Sequence, residues 1–284
     1  MTTPDLSRDA LRRHVHDTDT AHRSARRLFR AALDRAFDPS SGTATEIKEA
    51  LLGLPDRRRF LRIGGLTIAS SALLVACSKD SSSPTSTPAA DGPATDATLV
   101  LTSESIEQTA VAAYQKVIDS GLVKTATVVD VAKRFQQHHR DHAVLLAAMA
   151  TQMGQQATGQ PNAYLQQSVI DPAFKGMQDE ARALAVLFIV EQAAAQTYTF
   201  SAGVLSVPPL RQAIMTMGGV EARHQAVIAH IQGEDPVPVP YQKTDRSVPK
   251  DAYVRPTAPV TPFPSTTSTT STTAAAGGST STTG

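Results

Sequence analysis

One eight-residue stretch occurs twice in this chain, and its repetition limits the available folds more than any other feature. Glu107-Gln108-Thr109-Ala110-Val111-Ala112-Ala113-Tyr114 returns as Glu191-Gln192-Ala193-Ala194-Ala195-Gln196-Thr197-Tyr198. About 30 residues after each copy stands a unit ending in histidine, His139-Arg140-Asp141-His142 and then Glu221-Ala222-Arg223-His224. Residues three apart share one face of a helix. A carboxylate on one helix and an i, i+3 pair on the next, given twice, is the pattern that builds a dinuclear metal site in a four-helix core.

The apolar periodicity supplies those four helices. The first is expected to open at Thr102 or Ser103 as N-cap, with Ile106, Ala110, Ala113, Tyr114 and Val117 inward and Gly121 as its stop. The second runs from about Thr127 to Met153 and closes at Gly154. The third spans roughly 176–200, and Val207-Pro208-Pro209 opens a fourth that reaches Ile231. The first and last connections are short, which makes two antiparallel hairpins. About two dozen residues separate the hairpins, a single long crossover.

Counting along the helices tests this geometry. Glu107 lies 14 residues before Gly121, and His139 and His142 lie 18 and 21 after it. Glu191 lies about 14 residues before the turn near Leu205, and Glu221 and His224 lie 16 and 19 after it. At a rise of about 1.5 Å per residue, each Glu comes within a few ångströms of the level of its partner pair. Glu191 follows Leu187-Phe188-Ile189-Val190, and a carboxylate in such surroundings is costly unless it is neutralised. Carboxylates and imidazoles without thiolate suit iron or manganese better than a softer ion. Met149, Met153, Met215 and Met217 read as core filler.

Composition divides the rest of the chain. Residues 78–97 and 236–284 are rich in Ser, Thr and Pro and poor in bulky apolar residues, so a disordered linker and a disordered tail are expected. Residues 98–235 hold enough Ala, Leu and Val for one core. Up to Cys77 the chain carries 13 Lys/Arg against 9 Asp/Glu, and after it 14 against 17. A basic leader before an acidic remainder carries no nucleic-acid footprint. Residues 5–37 form a thin amphipathic helix or two, whose His14, His16 and His22 read as solvated surface groups.

Arg57 and Arg58 precede Phe60-Leu61, and an apolar run of about 14 residues leads to Leu74-Val75-Ala76-Cys77. The run is short for a bilayer span but suits a signal h-region. The Arg pair resembles a twin-arginine export signal, and the last four residues resemble a lipobox that would lipidate Cys77. Residues 57–77 are therefore expected to engage the twin-arginine export machinery. Residues 1–56 would be an unusually long extension on the cytoplasmic side. The protein would stand on the outer face of the cytoplasmic membrane, tethered through Cys77.

On these motifs, residues 98–235 resemble the ferritin-like superfamily, in particular exported bacterial ferritin-like domain proteins. The resemblance implies an all-α ferritin-like four-helix bundle whose ligands are Glu107, His139, His142, Glu191, Glu221 and His224. Glu191 with Glu221 and His224 follows the family pattern, whereas His139 stands where a carboxylate is expected. A carboxylate can bridge two metals, so the expectation is two iron or manganese ions, or one if His139 disables half the site. His138 is a neighbour of the ligands or a substitute for one. Tyr114 and Tyr198 either bond to groups beside the metals or fill space with their hydroxyls bonded elsewhere. The implied reactions are ferroxidase or peroxide- or oxygen-dependent oxidoreductase chemistry, with an electron donor as partner and no catalytic residue assigned. The alternative is a non-catalytic envelope scaffold or metal-binding module on the same bundle.

Overall fold

The computed structural model describes residues 8–37, 93–238 and 241–260. Arg57, Arg58 and Cys77 lie outside the described residues, as do the linker up to residue 92 and the tail from 261. Among the described residues all regular structure is helical. The elements are α1 (Arg8–Phe37), α2 (Pro93–Asp119), α3 (Ala126–Gln152), a π-turn (Leu165–Ile170), α4 (Asp171–Lys175), α5 (Glu180–Val204), α6 (Pro208–Ile231) and a 3-10 turn (Lys250–Ala252).

Helices α2 and α3 form one hairpin and α5 and α6 the other, with α2 packed on α5. Local chemistry sets the boundaries. Gly121 and Gly154 end α2 and α3 at positive φ (62° and 73°), a backbone region in which other residues are strained. The Asp179 carboxylate accepts the Arg182 N–H at 2.8 Å and caps α5. Pro208 and Pro209 occupy the first turn of α6, where their missing or unneeded N–H groups cost nothing. The crossover is not a bare loop, because the π-turn and α4 bury Leu165, Ile170 and Phe174 against the bundle.

Helix α2 starts nine residues before the expected Thr102 cap. Thr102 turns its hydroxyl back to the Thr98 carbonyl at 2.7 Å instead of capping, and Asp96, Thr98, Ser103, Glu104 and Ser105 are buried around it. No single apolar stripe marks this segment because polar and apolar residues are buried together, with Ala97, Leu99, Val100 and Leu101 in the core. Asp96 accepts from the backbone and side chain of Ser206, which ties the start of α2 to the α5–α6 connection. Within the segment whose composition suggested a tail, residues 241–260 lie along the bundle. The Arg246, Val248 and Val254 N–H groups donate to Gln196, Thr197 and Thr102, at 2.6, 3.0 and 3.0 Å. Such a strap is held by backbone donors, so apolar content does not announce it.

Helix α1 lies against both α6 and α3, which do not pack closely on each other, and so closes the remaining side of the bundle. Leu11, Val15, Thr18, His22, Ala25, Phe29 and Ala32 recur at alternating spacings of four and three, the seam of a helix that packs lengthwise on others. Phe29 and Ala32 are wholly buried. Met149, Met153 and Met217 are core residues as expected, whereas Met215 is exposed, on the opposite face of α6. Helix α5 is the one described helix long and apolar enough to cross a membrane, and two thirds of that stretch is buried inside the bundle.

Gly218 of α6 sits where an added Cβ would lie 3.0 Å from the Tyr198 Cβ, whereas Gly203 faces open space. Gly203→Ala is expected to stabilise the fold by roughly 0.5–1 kcal/mol through helix propensity. Gly218→Ala is expected to destabilise it by about 1–3 kcal/mol through overpacking. Urea unfolding of the two variants checks the contrast.

Candidate metal centre

The six repeated-motif residues converge. Glu107, His139, His142, Glu191, Glu221 and His224, from α2, α3, α5 and α6, are each wholly buried. Two overlapping groups have all ligand atoms within 4.8 Å of one another: Glu107, His139, His142 and Glu221, and His139, Glu191, Glu221 and His224. Glu221 and His139 belong to both, and of the two the Glu221 carboxylate is the one able to bridge.

His142 turns Nδ1 inward, 2.7 Å from Glu221 Oε1 and 3.4 Å from Glu107 Oε1. His224 Nδ1 lies 3.0 Å from Glu221 Oε2 and 3.3 Å from Glu191 Oε2. His139 spans the centre, with Nδ1 2.7 Å from Glu107 Oε2 and Nε2 3.0 Å from Glu191 Oε1. The tyrosines cross between hairpins. Tyr114 donates to Glu191 and Tyr198 to Glu107, each to the carboxylate of the other hairpin's repeat. Small residues between the Glu and Tyr of each repeat, Ala110 and Ala113 in one and Ala194 and Ala195 in the other, leave room for this exchange.

The electrostatics follow from proximity. Burial works against the charged forms of Glu107, Glu191, His139, His142 and His224, and the opposite charges overcome it. Glu107 is held below the usual carboxylate range by His142 and His139, and Glu191 by His139 and His224. In return Glu191 and Glu221 hold His139 well up, and Glu107 and Glu221 raise His142 to about 9. His224 is raised by Glu191 and Glu221. Burial pushes both tyrosines up, with the facing carboxylates adding to it, so they remain hydrogen-bond donors.

The donor set fits a divalent cation. His142 Nδ1 and Glu221 Oε1 are buried and make no hydrogen bond, although they lie 2.7 Å apart. Their lone pairs are not aimed along a shared proton, and a cation that both atoms could reach would satisfy them. Oxygen and imidazole ligands without sulfur match iron or manganese.

Around this core lies a layer that the sequence reading only partly found. His138 Nδ1 is 3.0 Å from His224 Nε2, which places it behind a ligand and not in a ligand position. His22, expected on the surface, is buried with its Nδ1 3.2 Å from His142 Nε2. His14 is exposed and has its ring 5.1 Å from that of His230. His16 is exposed. Asp19 and Asp141 were missed. The available signal was the four–three seam of α1, in which His22 takes a core position.

Residues 120–234 match the family model for the ferritin-like domain. The match spans α3 to α6 and so contains five of the six clustered residues, all but Glu107 on α2. Comparisons with curated proteins and with solved structures gave no match. The helical bundle and its buried Glu/His groups thus agree with the ferritin-like domain that the family model finds.

His142 gives a pH dependence with a definite sign. With its value raised from 6.5 to about 9, its imidazolium stabilises the metal-free fold fully below pH 6.5, and this contribution is lost as pH rises through 9. The unfolding free energy of chelator-treated protein is expected to fall by on the order of 1–3 kcal/mol between about pH 7.5 and 9.5. A bound cation displaces the same proton, so metal affinity rises across that window. Urea unfolding and metal titration at stepped pH check both signs.

Proposed function

We propose that this protein binds a dinuclear iron or manganese centre in its core and uses it in oxidoreductase chemistry on oxygen, peroxide or ferrous iron. The observation that carries this reading is the pair of overlapping ligand groups, which share Glu221 and His139. Iron or manganese held there supplies exchange of electrons with oxygen species. Glu107 and His142 would hold one ion, Glu191 and His224 the other, with Glu221 between them and His139 on one side. Tyr114 and Tyr198 orient Glu191 and Glu107 by donating to one oxygen of each. Phe135 stacks on the His224 ring, with centroids 4.0 Å apart, and the six clustered side chains are wholly buried, which keeps bulk water from the centre.

His139 changes the charge of the site. Three ionised carboxylates with neutral imidazoles leave a single positive charge when two divalent ions are bound, where a fourth carboxylate would leave none. The second ion is therefore held more weakly than the first. His139→Glu is expected to raise occupancy of the second position while lowering the stability of the metal-free protein, because four carboxylates then face one another. Elemental analysis and thermal unfolding of that variant check the two effects.

For the setting of this chemistry we propose export through the twin-arginine route, followed by lipidation at Cys77 on the outer face of the membrane. The Arg57-Arg58 pair and the Leu74–Cys77 sequence support it. Processing before Cys77 would remove α1, so in this reading the bundle folds and takes up metal with α1 in place, before transport. Cys77→Ser is expected to abolish lipid labelling and membrane retention, leaving a longer chain in the soluble fraction.

The reaction itself is tested by anaerobic loading with Fe²⁺ followed by oxygen or peroxide. Oxidation of about two irons per chain, lost in Glu191→Ala, is the expected result. Stable Fe²⁺ binding with no oxidant consumption would favour a metal-binding module without turnover.

A further inference from the structure

Two of the three clustered histidines, His142 and His224, are each backed by a second histidine, and each second histidine ends on an aspartate. His142 Nε2 lies 3.2 Å from His22 Nδ1, and His22 Nε2 lies 3.1 Å from Asp141 Oδ2. His224 Nε2 lies 3.0 Å from His138 Nδ1, and His138 Nε2 lies 2.8 Å from Asp19 Oδ1. The two chains have the same order of atoms. Both ligands turn Nδ1 to the carboxylates, so Nε2 carries the outward N–H. The backing imidazole accepts it at Nδ1 and donates its own Nε2–H to the aspartate. One direction of donation satisfies the outward Nε2 of both ligands and both nitrogens of His22 and His138.

The chains are also interlocked between two helices. The first takes its histidine from α1 and its aspartate from α3, and the second takes its histidine from α3 and its aspartate from α1. The His22 and His138 rings stack at 3.9 Å between centroids, 14° from parallel. Arg26 donates to Asp141 at 2.6 Å and Arg134 lies 3.5 Å from Asp19, so both terminal carboxylates are fixed from the surface side. Removing α1 would break both chains at once.

We propose that in the full, unprocessed chain α1 is a working part of the metal centre, with His22 and Asp19 as positioning residues that hold the ligand imidazoles of His142 and His224 as metal is taken up. The proposal rests on the metal-binding reading above. A ligand imidazole needs its outer N–H bonded to keep its tautomer and ring orientation, and loss of such a partner costs about 10–100-fold in metal affinity. Here an added helix supplies that partner for one ligand directly and for the other through His138.

The test uses the full chain, stripped with chelator and titrated with Co²⁺, whose visible absorption reports ligand geometry. His22→Leu is expected to weaken Co²⁺ binding by about 10–100-fold and to shift the absorption band. His22→Asn, which keeps an acceptor where Nδ1 stands, is expected to restore most of the affinity and the band, a rescue that a purely packing role would not give. Asp19→Asn, a change at the partly exposed end of the other chain, is expected to give a smaller loss; it carries the test should His22→Leu not fold. Wild-type affinity and spectrum in both His22→Leu and Asp19→Asn would overturn the proposal while leaving the metal site standing. Failure of the unaltered chain to bind Co²⁺ would overturn both.

Discussion

Three carboxylates facing three imidazoles in a core without solvent are the constraint on which this structure depends. Glu107, Glu191 and Glu221 are fully buried, as are His139, His142 and His224. Any one of them alone in that position would be strongly destabilising, and removal of one partner leaves an uncompensated charge behind. The set is therefore retained or lost as a unit. It also fixes the register of the bundle, because a helix that slid by one turn would carry its charged groups into apolar neighbours. The cross-hairpin bonds from Tyr114 and Tyr198 lock the two halves at the same level.

Much of this was legible in the sequence, and for a simple physical reason. Helical rise is constant, so counting residues from each turn put Glu107 level with His139 and His142, and Glu191 level with Glu221 and His224, without any knowledge of packing. The two hairpins and the crossover followed from glycine, proline and loop length. What escaped the reading was held by polar contacts across long sequence separations. Residues 96–101 of α2 show no single apolar stripe because they are buried on all sides, Ala97, Leu99, Val100 and Leu101 in the apolar core and Asp96 against Ser206. The exchange of tyrosines between repeats could not be read, because the repeats show that each Tyr shares a face with its own Glu and not which Glu it reaches. His22 was misjudged because α1 has few large apolar residues. In a seam built from Ala25, Ala32, Thr18 and Phe29, a histidine can be as buried as any leucine.

The substitution at position 139 and the added helix α1 bear on the same chemistry from opposite sides. His139 places an imidazole within reach of Glu107 and Glu191 where a carboxylate is expected, which in the proposed dinuclear reading weakens the hold on a second ion. Helix α1 strengthens the hold on the two Nδ1 ligands by ordering their outer nitrogens. The result is a site with two firm histidine–carboxylate corners and a cationic middle.

The central claim is that these six side chains are together because they hold metal. Elemental analysis of the full chain, purified without affinity histidines and compared with a Glu191→Ala/Glu221→Ala variant, tests it most directly. Iron or manganese bound in the unaltered protein, at one to two ions per chain, and lost from a variant that remains helical is the predicted result. A chain that stays metal-free after reconstitution with either ion, or a variant that binds as much metal as the original, would contradict it.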